Sequence, residues 1–521
     1  MRTGVATRQT LDIYPTAGMI TQLPAKELPL GASPDMMNMC VVGGCLRKRP
    51  GYRQFRPANA PFDTSVMGLA STRDEANKVH LYAWSETAMY KYDRDLYDWV
   101  LCSGPPFTGG GENLFSWEVS QNSIVASQGI DPVIRTPFTT TYAILSPDCP
   151  AARYMTRGAD RLLLGDTLEG TPGIRKPFRI RRCVAGDHTD WTGVGSGFTD
   201  LAEGPYHLYN LRKIGTRIAA YTEKVVWIGV RTGNAAAPIE WQPIITESGL
   251  LAPHTVTGRR NLHVYLGTDD VYEFNGTGAT GVAAAVIDEL YRQINSEFEH
   301  MMFGEVMNET QEALFFIVSG HHKTPDRVWA YNWGRGAWYP WTVSGPKCST
   351  LHRVGNTAIW DAFPIPWDTF QLEWDAVSLS SAYPALLTGH TDGRVYVWNH
   401  GHLSDDGIAI PCYWSSKELS AGDVSNELQG RQMTLRSVTV SYKSSGSEMN
   451  VDFFYRADGG LWQGPFPKVV PAQPAGDRTF TVDDQVSGGR VQFRIAHWSA
   501  TESLIINSFH PEIEIRDYQA R

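Results

Sequence analysis

The sequence predicts an all-β protein built around a β-propeller of about seven blades. A strand-like motif returns along residues 61–400, aromatics make up 11% of the chain with 17 Trp and 22 Tyr, and 49 Gly and 31 Pro are spread over 521 residues. Aromatic and β-branched side chains suit a pleated, half-buried surface. Frequent Gly and Pro punctuate short strands with tight turns.

The chain divides into three parts: an N-terminal arm and hairpin at 1–60, the propeller at 61–400, and a C-terminal β domain at 401–521. In the arm, Leu28-Pro29-Leu30-Gly31-Ala32-Ser33-Pro34-Asp35 holds too much Pro and Gly for a helix or a central strand. Cys40 to Tyr52 reads as a hairpin turning at Gly43–Gly44, with Leu46-Arg47-Lys48-Arg49-Pro50-Gly51 as its exit.

The propeller's repeat is an alternating run of Val and aromatics closed by a turn residue. Its copies are Ala88–Asp93, Val225–Gly229, Val271–Gly276, Val328–Asn332 and Val395–Asn399, with Tyr90, Trp227, Tyr272, Trp329 and Tyr396 as markers at spacings of 137, 45, 57 and 67 residues. The long first gap holds two weaker copies, Ser123–Ser127 with Pro132–Arg135, and Arg161–Asp166 with Phe178–Ile180. Companion runs precede several copies: Ser65–Leu69, Thr216–Tyr221 and His263–Gly267. Short strands returning every ~40–50 residues are the mark of propeller blades. One blade cannot cover its own apolar faces, so closure into a ring buries them against neighbours. Between the copies, Ala283–Glu299 carries Val286, Ile287, Leu290, Ile294 and Phe298 at helical spacing and predicts a helix inserted at a blade edge. Ala362–Ala385 is a second, Pro-rich excursion.

Beyond residue 401 the alternating runs Gln432–Tyr442, Met449–Tyr455, Arg478–Val482, Gly489–Ala496 and Leu504–Ile515 predict a β-sandwich-like domain, one that could return a strand to the ring.

Formal charge is −9 with no run of Lys and Arg, which argues against a reader of nucleic-acid phosphates. A passive wall past which DNA slides is compatible with that charge. The seven cysteines, at 40, 45, 102, 149, 183, 348 and 412, form no Cys-x-x-Cys pair. Cys40 and Cys45 could meet across their hairpin, but a reduced site of synthesis is the simpler expectation. Neither an export signal nor a membrane span is expected from the hydropathy pattern.

Few residues suggest chemistry. His321–His322 would point to opposite faces of a strand and reads as a turn. Gly109-Gly110-Gly111 lacks the Lys-Ser/Thr of a phosphate loop and reads as a flexible loop. Asp269–Asp270 and Asp392–Gly393 sit at the same blade position and read as turn acids that accept backbone N–H groups. Ala457-Asp458-Gly459-Gly460-Leu461-Trp462 resembles part of a sialidase Asp-box but occurs once, outside the propeller, and reads as a hairpin. Asn275-Gly276-Thr277 reads as a turn. With no nucleophile elbow, zinc-protease or paired-cysteine motif, the expectation is that the chain is not an enzyme: no catalytic, cofactor-binding or metal-binding residue is assigned.

Leu30–Asp35 followed by Asn38, Gly44 and Leu46–Gly51, then Arg157–Leu162 through Gly165, Asp190-Trp191-Thr192, Gly249–Pro253 and Tyr272–Gly276, resembles the nozzle or tail-tube-tip propellers of short-tailed bacteriophages. The resemblance covers most of residues 28 to 400. It implies a structural virion protein made in the host cytoplasm: a homo-oligomeric ring, commonly a hexamer, bound to portal–adaptor and other tail proteins. Such a ring conducts and seals the path for genome ejection, touching DNA only transiently and without stable membrane insertion. The alternatives are a carbohydrate-binding or carbohydrate-cleaving propeller and a protein-scaffolding propeller.

Overall fold

The computed structural model describes residues 7–55, 61–96, 98–170, 172–201, 206–234, 236–353 and 384–516. Seven antiparallel sheets follow one another along the chain, each beginning with its innermost strand. Blade 1 is Gly68–Arg73, Val79–Trp84, Met89–Asp93 and Asp98–Leu101; blade 2 is Ser116–Ser120, Ser123–Ser127, Ile134–Thr136 and Ala143–Ile144. Blade 3 is Ala151–Gly158, Arg161–Glu169, Ile174–Arg182 and Gly197–Asp200; blade 4 is Leu208–Ile214, Arg217–Thr222, Val225–Arg231 and Ile239–Thr246. Blade 5 is Thr257–Arg259, Leu262–Leu266, Val271–Phe274 and Ala279–Gly281; blade 6 is Phe303–Met307, Glu312–Ile317, Arg327–Asn332 and Ala337–Thr342.

Blade 7 draws on two distant parts of the chain. Pro346–His352, Ala385–His390 and Val395–Asn399 supply three strands, and Gly51–Gln54 from the arm supplies the fourth, with Asn399 opposite Gly51 and Tyr396 opposite Gln54. Its first strand packs on that of blade 1, which closes the ring. Ser404–Asp405 then runs parallel to the arm strand, with Asp405 opposite Tyr52. The contact at Gly51 is tight, because a Cβ there would lie 2.3 Å from the Ser404 carbonyl oxygen.

The recurring motif is the third strand of each blade: Met89–Asp93, Val225–Arg231, Val271–Phe274, Arg327–Asn332 and Val395–Asn399 all occupy that position. Its apolar side chains fill the spaces between blades. Trp227 packs with Leu163, Leu208 and Ile218 between blades 3 and 4, and Tyr221, Tyr265 and Phe274 meet between blades 4 and 5. Each fully buried ring of this kind contributes roughly 1.5–3 kcal/mol.

The N-terminal arm is paired along much of its length. Met39–Val42 and Cys45–Lys48 form a hairpin turning at Gly43 and Gly44, whose φ angles of 61° and 84° suit a two-residue turn. In this register Cys45 faces Val42 and Cys40 faces Arg47, so the two thiols are not opposite each other; all seven cysteines are free.

A two-sheet sandwich follows the ring. One sheet orders Gly476–Val482, Gln432–Ser444, Ile505–Arg516, Cys45–Lys48 and Met39–Val42, with Thr7–Thr10 also on Ile505–Arg516. The other orders Met36–Met37, Cys412–Ser415, Arg490–His497, Met449–Ala457 and Gln463–Val470. Between them Trp414 stacks on Phe509 at 4.9 Å, beside Phe493.

The helix expected over 283–299 is shorter than its apolar spacing suggested. An α-helix covers Ile287–Gln293 and a 3-10 turn covers Ser296–Met301. Ile294 is already extended, so the apolar residues beyond it belong to the connection between blades 5 and 6. The Pro-rich excursion at 362–385 lies almost wholly outside the described residues.

Candidate functional site

The innermost strands place polar side chains in the ring's central channel. Ser349 of blade 7 donates to Glu305 of blade 6 at 3.3 Å. Glu118 of blade 2 lies in the field of Arg157 from blade 3 and Arg212 from blade 4, and Arg212 also acts on Glu305. Both glutamates accept the N–H of the following residue at 3.0 Å, Val119 and Val306 respectively. Burial pushes both carboxyls above the usual range, against the arginines and hydrogen bonds that favour the charged form. The lining of these first strands is therefore of mixed charge.

Loops cover one mouth of it. His300, before blade 6, reaches Glu112, before blade 2, at 3.3 Å. Lys347 of blade 7 donates to the Gly111 carbonyl at 2.8 Å, and Thr108 N–H donates to Asp131 at 2.7 Å. The Gly109–Gly111 loop is thus fastened at several points, where its glycines alone suggested free movement. Beside it, burial first, then His300 and two arginines, push His254 down to about 4.

A cavity of about 300 Å³ opens between blades 3 and 4, lined by Arg153, Tyr154, Asp166, Arg175, Pro177, His207, Leu208 and Tyr209. A β-bulge shapes it: pairing slips between Gly165 and Thr167, leaving Asp166 at φ 53°. The Asp166 carboxylate is buried, 3.3 Å from Arg153 Nη1 and 3.6 Å from Arg175 Nε. Desolvation raises its pKa and the two guanidiniums oppose that shift. Behind the wall, Glu223 accepts from the Tyr209 hydroxyl at 3.2 Å and lies 3.6 Å from His207 Nδ1.

The residues singled out by sequence lie elsewhere. His321 and His322 occupy a turn in blade 6, where His322 approaches Asp326 at 3.7 Å. Asp270 accepts from Val271 N–H and Ala283 N–H, and Asp392 from Arg394 N–H. Tyr272 donates to Asp269 at 2.9 Å and Tyr396 to Asp392 at 2.6 Å, so in blades 5 and 7 a tyrosine of the third strand reaches back to a turn acid, three residues away in one and four in the other. Asp458 turns a hairpin in the sandwich and accepts from Arg490 N–H. Asn275 caps its own turn through Thr277 and Gly278 N–H. Among the described residues, no group of three or more His, Cys, Asp or Glu is placed to hold a metal ion.

Sequence reasoning missed the channel and the cavity. The available signals were charged residues set into otherwise apolar first strands, as at Glu118 and Glu305, and the Leu162–Gly165 run ending on Asp166.

No helix among the described residues is long and apolar enough to cross a membrane. No family model matches the chain, and no curated protein matches it. Among solved structures it is similar to the extracellular domain of a hybrid two component system from B. thetaiotaomicron, with 9% identity and a TM-score of 0.40 over 83% of this chain; the chain spans 47% of that one. It is also similar to an exo-beta-1,3-galactanase from Phanerochaete chrysosporium, with 11% identity and a TM-score of 0.27 over 89% of this chain and 100% of that one. A third is YCF48 from Cyanidioschyzon merolae, with 9% identity and a TM-score of 0.27 over 52% of this chain and 97% of that one. Likenesses this distant bear on neither activity nor ligand; the chain is an all-β propeller with a β-sandwich, described by its own geometry.

Proposed function

We propose that the chain is a structural subunit of a bacteriophage tail that assembles into a ring and lines the path of the ejected genome. The observation that carries this reading is where the arm motif falls. Asn38, Arg49 and Gly51, within the segment that resembles tail propellers, form the joint between ring and sandwich. Asn38 donates to Thr342 Oγ1 and to the Pro411 carbonyl, Arg49 pairs with Asp405, and Gly51 begins the closing strand of blade 7. Residues that join two modules suit a building block.

DNA would not thread the propeller itself, because Glu112 and His300 meet at its mouth. It would pass through the hole of the assembled ring, where a net charge of −9 discourages adhesion of phosphates. Negative-stain electron microscopy of the purified chain, alone and with a portal–adaptor complex, tests this. Rings or short tubes with an open centre are expected. Separate propellers that never join, even with the adaptor present, would overturn it.

A second reading, saccharide binding, is favoured by the cavity between blades 3 and 4, which combines guanidiniums, a carboxylate and phenol rings. Retention of the protein on immobilised polysaccharide tests that reading.

A further inference from the structure

One buried polar atom faces the cavity between blades 3 and 4 without a hydrogen-bond partner among the described residues. Asp166 is 3% exposed and its Oδ1 accepts no hydrogen bond. Tyr154 is 4% exposed, and its hydroxyl stands close enough to feel the Asp166 charge. An unsatisfied buried group of this kind costs about 1–3 kcal/mol unless water or a ligand completes it. The volume of about 300 Å³ far exceeds the ~30 Å³ share of one water and reaches the lower end of small-molecule sites.

The lining limits what can enter. Arg175 is committed, donating to the backbone carbonyls of Asp166 and Gly129. Arg153 is half exposed, and its 3.3 Å pair to Asp166 is its one ion pair among the described residues. A planar guanidinium fork matches a carboxylate in two-point contact. Asp166 Oδ1 can accept from a ligand hydroxyl, and the Tyr154 hydroxyl can donate or accept. Pro177, Leu208 and the Tyr209 ring offer an apolar face, which suits the C–H side of a sugar ring. Glu223 is held by Tyr209 and His207.

We propose that this cavity binds one pyranose ring of an acidic saccharide, with ring hydroxyls on Asp166 and Tyr154 and the sugar carboxylate on Arg153. The proposal rests on the saccharide-binding reading and gives it a site and a ligand class.

Calorimetric titration of the full chain with methyl glucuronide and methyl glucoside is the test, alongside a panel of immobilised polysaccharides. The glucuronide is expected to bind about tenfold tighter than the glucoside. Asp166→Asn and Tyr154→Phe should weaken both sugars about tenfold or more. Asn is tolerated at positive φ, so the bulge survives the first change. Arg153→Ala should erase only the advantage of the glucuronide. Equal affinity for the two sugars overturns the assignment of the carboxylate. Polysaccharide binding untouched by all three variants overturns the site while leaving the saccharide reading standing. No binding to any member of the panel overturns both.

Discussion

Arg49 and Asp405 meet fork to fork, with Nη1 2.9 Å from Oδ1 and Nη2 2.5 Å from Oδ2. The arginine side chain is 1% exposed and the carboxylate 15%. Arg49 also donates to Asn38 Oδ1 and to the carbonyls of Pro50 and Thr342, so all five of its N–H groups are engaged. It lies over the Trp398 ring at 5.6 Å as well. One side chain thus fastens the arm to blade 6, to blade 7 and to the chain beyond the ring.

Asp405→Ala should therefore destabilise the protein by about 3–5 kcal/mol, because it strands a buried guanidinium. Urea unfolding would show this as a lowered midpoint. Arg49→Lys should also be costly, since an ammonium has three donors and no fork.

Gly51→Ala tests the closing strand. The new Cβ would lie 2.3 Å from the Ser404 oxygen and 2.7 Å from that of His402, while Gly51 N–H bonds to the same His402 oxygen at 2.8 Å. Both neighbours are backbone and cannot swing aside. A loss of about 1–3 kcal/mol is expected, read as a lower melting temperature.

Glu312 should make stability depend on pH. It is fully buried, its Oε2 accepts from Thr310 at 2.6 Å and its Oε1 is unsatisfied; burial pushes its pKa up to about 7. The folded state keeps a proton that the unfolded chain releases near the ordinary value of 4.5. The stabilisation from the neutral form is thus full below about 4.5 and is lost as pH rises through about 7. Glu312→Gln should flatten this slope and gain on the order of 2 kcal/mol over the wild type at pH 8. Unfolding curves at pH 5 and pH 8 would check it.

The paired acids before the third strand of blade 5 should separate cleanly. Asp270→Ala removes an acceptor for two backbone N–H groups, Val271 and Ala283, and should cost about 1–2 kcal/mol. Asp269→Ala removes only an exposed contact from Tyr272 and should stay within about 0.5 kcal/mol. Thermal unfolding of the two variants side by side distinguishes them.

The third strands were legible because Val, Trp and Tyr alternate there, as in Val328–Asn332, and both faces of a blade need cover. First strands were harder to see: channel-facing Glu118, Arg157, Arg212 and Glu305 break the apolar pattern. Outer strands such as Ala143–Ile144 and Ala279–Gly281 are too short and too exposed to show a period. The strand Gly51–Gln54 hides for another reason, since its partner lies more than 300 residues away and nothing local announces the pairing. The cavity residues come from three separated stretches, 153–154, 166–177 and 207–209, so only the packing of blade 3 on blade 4 brings them together. The turn acids were legible because an Asp before a strand serves its own neighbours.

The borrowed strand of blade 7 also sets an order in time. Gly51–Gln54 leaves the ribosome early and waits for Val395–Asn399, a delay of roughly 20–70 s at ordinary rates of synthesis. The hairpin at Met39–Lys48 waits longer still, for Ile505–Arg516. Until then both are open edges able to pair with other chains. Ring closure is the late, slow event of folding, since its contacts span most of the sequence. A chain interrupted before residue 395 is left with six blades and a free arm, and neighbouring nascent chains become competitors for the same place.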